Sequence, residues 1–311
     1  MVQTENEPLL ATAGYDHTIK IWVPHSATAI KTLQHSDSQV NALAMKNFLA
    51  AGGFQSIRLY DLNSTNNPII NFEGVSKNVT SIGFQEEGRF MYTGSEDCRV
   101  RIWDLNCQNP VCKRMFDCLT PVNSVALHPN QVEVAICTTS GSIYLWDIKS
   151  DNNEQLMPEI NASFNYIDIS PNGKYLAAIN NKGNCYVWDL LSDGKQLTKT
   201  SAKLKFLAQT RYGLKCKFSP DSQFIASVGG DGSARVYKCE DDFVLYRELK
   251  CPAEKFWMWD AVFTNDSKYL FTASSDGIAR LWKIDTKTIE REYSGHSKAL
   301  TSIAFKDEFK A

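Results

Sequence analysis

A sevenfold internal repeat constrains this chain more than any single motif. Segments ending in an aromatic residue recur along it: "TIKIW" at Trp22, "SIRLYD" at Tyr60, "RVRIWD" at Trp103, "SIYLWD" at Trp146, "NCYVWD" at Trp188, "SARVY" at Tyr237 and "IARLW" at Trp282. The steps between them are 38, 43, 43, 42, 49 and 45 residues. That period belongs to four-stranded blades arranged around an axis. Each unit has the same grammar. An apolar strand such as "VNSVALHP" leads through a Pro, Asn, Asp or Gly turn to a strand of small residues such as "YLFTAS". A tight turn such as "SDGIA" or "EDCRV" precedes the aromatic-ending strand, and a more polar strand such as "IEREYSG" follows. Alternation at period two between turn residues predicts antiparallel sheet throughout. No stretch reads as a helix. The expected fold is all-β, a seven-bladed propeller occupying residues 1–311 as one domain.

The two ends complete each other. "LLATAGYDHTIKIW" begins in mid-unit, with a second and third strand but no first. "YSGHSKALTSIAF" supplies a first strand with nothing after it. The C-terminal strand is therefore expected to join the N-terminal blade and close the ring. Closure removes two unpaired sheet edges and ties down ends that would otherwise fray.

In this closing blade Thr12, Asp16, Trp22 and His296 fall where a hydrogen-bonded series can form, with the indole donating and the carboxylate accepting. Hydroxyl, imidazole and carboxylate also make up a catalytic triad. The structural reading is preferred because the Asp position holds Asp97, Asp231 and Asp276 in three other units but Phe54, Ser140 and Lys182 in the rest. Where the acid is missing, at Phe54 and Lys182, a looser turn is expected.

Chemistry is otherwise sparse. There is no phosphate-binding GxxxxGK[ST] loop and no HExxH metal motif. "GGDGS" from Gly229 occupies the hairpin position held by "SSDG" from Ser274. The histidines lie in different units and do not converge by repeat register. Cys107, Cys112 and Cys118 cluster in sequence, but their spacing fits no common zinc pattern. No catalytic residue, metal or cofactor is expected. With 33 Lys and Arg against 35 Asp and Glu, the net charge of −2 leaves no electrostatic footprint for nucleic acid. "MVQTENEPLL" lacks the basic-then-apolar pattern of a signal peptide, and the nine cysteines are expected to be reduced. The expected location is cytoplasmic.

A rigid ring without chemistry points to binding. Two positions flank the first apolar residue of each innermost strand at one rim, the top face. Gln39, Asn78, Pro121, Ser163, Tyr212, Trp257 and Ala299 precede it; Asn41, Thr80, Asn123, Asn165, Leu214, Trp259 and Thr301 follow it. Against this small, polar background Trp257 and Trp259 stand out and share one face. Tyr212 holds the equivalent row one blade earlier. Exposed aromatics of this kind mark binding hot spots; the alternative is packing between blades. Gln39 and Asn41 would add rim hydrogen bonds, and Tyr15 is expected to reach the same face. Glu96 is an acidic rim residue with no evident cluster around it. A peptide-reading adaptor and a propeller enzyme are the competing functions. The inner strands, which offer mostly Asn, Thr and Ser, favour neither.

From about residue 9 to 305 the chain resembles the WD-repeat, G protein β-subunit-like subunit of the target of rapamycin (TOR) kinase complexes. The segments that carry the likeness include "LLATAGYDHTIKIW", "HSDSQVNAL", "RFMYTGSEDCRVRIWDL", "TRYGLKCKFSPDS", "WMWDAVF" and "YLFTASSDGIARLW". The resemblance implies a non-catalytic scaffold shared by TOR complexes 1 and 2. It would be a monomeric propeller docked on the kinase C-terminal lobe, supporting the active conformation and reaching endomembranes only through the complex. It also implies a kinase-facing surface that includes Gln39, Asn41, Trp257 and Trp259.

Overall fold

The structure, a computed structural model, describes residues 8–35, 38–63, 66–107, 110–190, 202–252 and 255–307. Among them lie 28 strands and no helix, gathered into seven four-stranded antiparallel sheets. Six sheets use consecutive strands. The remaining one, blade 1, is ordered Leu300–Lys306, Leu9–Gly14, Thr18–Val23, Thr28–Gln34. The C-terminal strand pairs with the N-terminal one in the register Leu10↔Phe305 and Thr12↔Ile303. Blades 2 to 7 begin with the innermost strands Ala42–Met45, Val79–Phe84, Val122–Leu127, Phe164–Ile169, Gly213–Phe218 and Met258–Phe263. Each innermost strand adjoins the next around a complete cycle, so the ring is closed.

The core follows from the blade pattern. A sheet of this kind must bury both faces, and seven apolar clusters each straddle one blade interface. The interface between blades 7 and 1, for example, packs Phe271 and Tyr293 of blade 7 against Leu10, Trp22, Leu300 and Ile303 of blade 1. The Trp22 and Tyr293 rings meet edge-on at 5.8 Å, and Trp103 meets Phe72 in the same way at 5.2 Å. Truncating such an indole to alanine costs about 3–5 kcal/mol. Outer strands such as Cys112–Asp117 and Thr288–Tyr293 remain largely exposed, which accounts for their polar sequences.

The tight turn before each third strand is built alike in every blade. Five residues before the aromatic, φ is positive at His17, Gln55, Cys98, Gly141, Gly183, Gly232 and Gly277. This backbone shape is shared by the blades that lack the turn Asp. At Gly183 the need for glycine is doubled, because a Cβ there would lie 2.1 Å from the Gln209 carbonyl oxygen.

Candidate partner-binding site

Ring closure places the four residues of blade 1 in series. Trp22 Nε1 donates to Thr12 Oγ1 at 2.8 Å, and Thr12 lies 2.8 Å from His296 Nε2. His296 Nδ1 lies 2.9 Å from Asp16 Oδ2. A neutral imidazole satisfies every group: Thr12 donates to Nε2, and Nδ1–H donates to Asp16. Burial, the main cause, pushes the His296 pKa down, with Asp16 opposing it. Burial would raise the Asp16 carboxyl. The His296 charge and hydrogen bonds from Thr18, His296 and Ser297 outweigh that and hold it below its ordinary value. The Thr12–His296–Asp16 geometry is that of a triad, but Thr12 and the His296 side chain are both 0% exposed. No substrate reaches that hydroxyl, so the arrangement acts as a staple across the seam.

Other blades reach the same end with different residues. Asp97, Asp231 and Asp276 each pair with an arginine four residues on, Arg101, Arg235 and Arg280, at 2.7–2.8 Å. The signal D-x-x-x-R was visible in "DCRVR", "DGSAR" and "DGIAR". The looser turn expected at Lys182 does not occur, because the pair there is inverted. Glu159, from the loop before blade 5, takes hydrogen bonds from Lys182 Nζ (2.8 Å), Tyr186 Oη (2.5 Å) and Asn180 Nδ2 (3.0 Å). Although burial alone would raise its pKa, bonds from Lys182, Tyr186 and Lys205 lower it to about 2. At Phe54 the turn is held by its backbone N–H donating to Ser38 Oγ at 2.9 Å.

The rim positions have a structural task that sequence reasoning missed. In four blades the residue after the first apolar position donates to the next blade's first inner carbonyl. Thr80 reaches Val122 O (2.8 Å), Asn123 reaches Phe164 O (2.8 Å), Asn165 reaches Gly213 O (2.7 Å), and Thr301 reaches Val40 O. These bonds stitch neighbouring blades together. The stitch is absent at Asn41, Leu214 and Trp259. Asn41 Nδ2 turns instead to the Asn78 side chain at 3.3 Å. Trp259 Nε1 is buried with no hydrogen-bond partner among the described residues.

Those three positions lie in blades 2, 6 and 7, on either side of blade 1. Here Tyr212, Trp257 and Trp259 form a run of tilted rings, with centroids 5.9 Å and 5.4 Å apart. Tyr212 is 51% exposed, and both tryptophans are half-buried. Trp257 also lies over Gly230 of the preceding blade. The indoles therefore have one packed side and one side facing the rim. Gln39 and Asn41 are half-buried and bonded to each other at 3.2 Å. Tyr15, half-buried in the blade 1 turn, is tied by its N–H to Ala299 O at 3.0 Å.

Below this rim the channel carries charges that the inner-strand reading did not anticipate. Lys217 Nζ binds Asp168 Oδ1 at 2.7 Å, and Lys215 pairs with Asp260. Asp168 and Asp260 also accept the backbone N–H groups of Phe218 (2.8 Å) and Ile303 (3.0 Å) in the following blades. Burial opposes charge on both lysines, yet the paired carboxylates raise their pKa values. Both channel acids are thus occupied, which argues against an acidic pocket for a modified tail. Among the described residues no cluster of His, Cys, Asp and Glu is arranged to hold a metal.

A WD domain, G-beta repeat family model matches residues 212–238 and 245–283. A propeller model described as the N-terminal domain of nucleolar protein 10-like proteins matches residues 1–187. Full-length likeness lies elsewhere. The protein LST8 homolog of Drosophila melanogaster is 53% identical over 309 residues, 98% of each chain. The target of rapamycin complex subunit LST8 of Mus musculus is 49% identical over 311 residues, 96% of this chain and 95% of that one. The subunit of the same name in Saccharomyces cerevisiae is 41% identical over 304 residues, 96% and 99% respectively.

Proposed function

The chain belongs to the LST8 family of WD-repeat subunits of TOR complexes, and from that premise we propose that it docks on the C-terminal lobe of the TOR kinase domain through the blade 6–7–1–2 sector of its top face. It serves complexes 1 and 2 as a non-catalytic scaffold, stabilising the active kinase conformation and contributing no reacting group. It works in the cytoplasm as a monomeric propeller and meets endomembranes only as part of the assembly. The observation that carries this reading is the missing stitch. Where four blades bond the rim side chain to the next blade's backbone, Asn41 bonds the Asn78 side chain instead and Trp259 makes no such bond, its buried N–H lying without a partner among the described residues beside the Tyr212–Trp257 rings. Trp and Tyr in such settings supply most of an interface's affinity.

The test is co-purification of TOR kinase with the wild-type chain and with a Trp257→Ala/Trp259→Ala variant, each checked by circular dichroism. Loss of at least about 2 kcal/mol, roughly thirtyfold in affinity, is expected with the fold retained. A folded variant that recovers the kinase as well as wild type refutes the site.

A further inference from the structure

The polar half of this sector is longer than its two rim residues. Gln39 Nε2 lies 3.2 Å from Asn41 Oδ1, Asn41 Nδ2 lies 3.3 Å from Asn78 Oδ1, and Asn78 Nδ2 lies 2.8 Å from Glu96 Oε2. The row crosses from blade 2 to blade 3 and ends on a carboxylate. An ionised carboxylate only accepts, so Glu96 forces the Asn78 amide to point its NH₂ inward and its carbonyl toward Asn41. The constraint passes along the row. Asn41 must donate to Asn78, so its own carbonyl faces Gln39 and receives the Gln39 NH₂.

The row ends at Gln39 Oε1, an acceptor with no bonded donor among the described residues. The backbone beneath is fixed too. Glu96 N–H and Ser95 Oγ both donate to the Asn78 carbonyl oxygen at 2.9 Å, and Phe54 and Asn78 form an isolated bridge. A row in which each amide is committed costs little to order on binding.

We propose that Glu96 and Asn78 are positioning residues which set the polarity of the Gln39–Asn41 rim, so that this part of the surface presents an acceptor and selects a partner segment offering an N–H or cationic donor. The inference rests on the docking reading above and names what that surface asks of its partner. Glu96 is remote from the aromatic run and acts through the amides.

The test is a double-mutant cycle on binding to recombinant TOR kinase, with Trp257→Ala/Trp259→Ala as the control. If that control binds like wild type, the docking reading fails, whatever Glu96 does. With docking established, Glu96→Ala is expected to weaken binding about tenfold without shifting the melting temperature of the free chain. Glu96→Gln, which can still turn its carbonyl to Asn78, is expected to rescue most of the loss. In a Gln39→Ala background, Glu96→Ala is expected to change affinity less than about twofold. Additive losses in the cycle overturn the relay. Gln39→Lys is expected to bind more weakly than Gln39→Glu; the reverse order overturns the assigned polarity.

Discussion

Replacing Asp16 by alanine removes the acceptor on which the ring seam converges. Its carboxylate takes hydrogen bonds from Thr18 N (3.1 Å), Thr18 Oγ1 (2.8 Å), His296 Nδ1 (2.9 Å) and Ser297 N (3.1 Å). The Ser297 bond is exposed, and water replaces it at little cost. The His296 ring cannot rehydrate, because its side chain is 0% exposed and Asp16 itself only 7%. A buried donor deprived of a charged acceptor costs about 2–3 kcal/mol. In a domain of this size, each kcal/mol moves the melting temperature by about 2–4 °C.

The variant should therefore melt about 4–12 °C below wild type in calorimetry. The pH dependence follows from both shifts. His296 is lowered from 6.5 and Asp16 from 3.8, so below about pH 6.5 the unfolded chain binds more protons than the folded one. Stability is complete above that window, falls as pH drops through it, and falls again below the ordinary carboxylate range. The gap between wild type and Asp16→Ala is expected to widen as pH falls through the histidine range, because without Asp16 nothing offsets the burial penalty on a protonated His296, and to narrow again below the ordinary carboxylate range as the wild-type carboxylate is protonated. A melting shift within 1 °C at about neutral pH, or a gap that narrows as pH falls through the histidine range, refutes the staple.

Glu159→Ala, which leaves Lys182 and the Tyr186 hydroxyl without their acceptor, is expected to cost about 1–2 kcal/mol; an unchanged denaturant midpoint refutes the inverted lock. Gly183→Ala combines a positive φ of 83° with the 2.1 Å approach to Gln209 O, so a loss of about 2 kcal/mol or more is expected. The contrast is Gly88→Ala, where the φ strain remains but the nearest atom to a Cβ is 3.9 Å away; equal losses at both sites would refute the crowding argument.

Repeat period, blade count, strand order and ring closure could all be read from residues in sequence, because alternation and turn chemistry act over a few neighbours. The positions of Trp257, Trp259, Gln39 and Asn41 on one rim followed from register alone. What that register left open was which rim side chains bond the next blade's backbone. Thr80, Asn123, Asn165 and Thr301 look as available as Asn41 in the sequence, yet each is bonded to a carbonyl one blade away.

Contacts of this kind join residues about forty positions apart, and only the curvature of the closed ring brings them to bonding distance. The same holds for the Lys–Asp pairs in the channel and for the Asn41–Asn78 link of the amide row. The repeating ring and the place of its rim are legible in the order of residues along the chain. The closed ring sets which rim side chains bond the next blade's backbone and which do not, because a hydrogen bond between blades depends on how the whole ring closes.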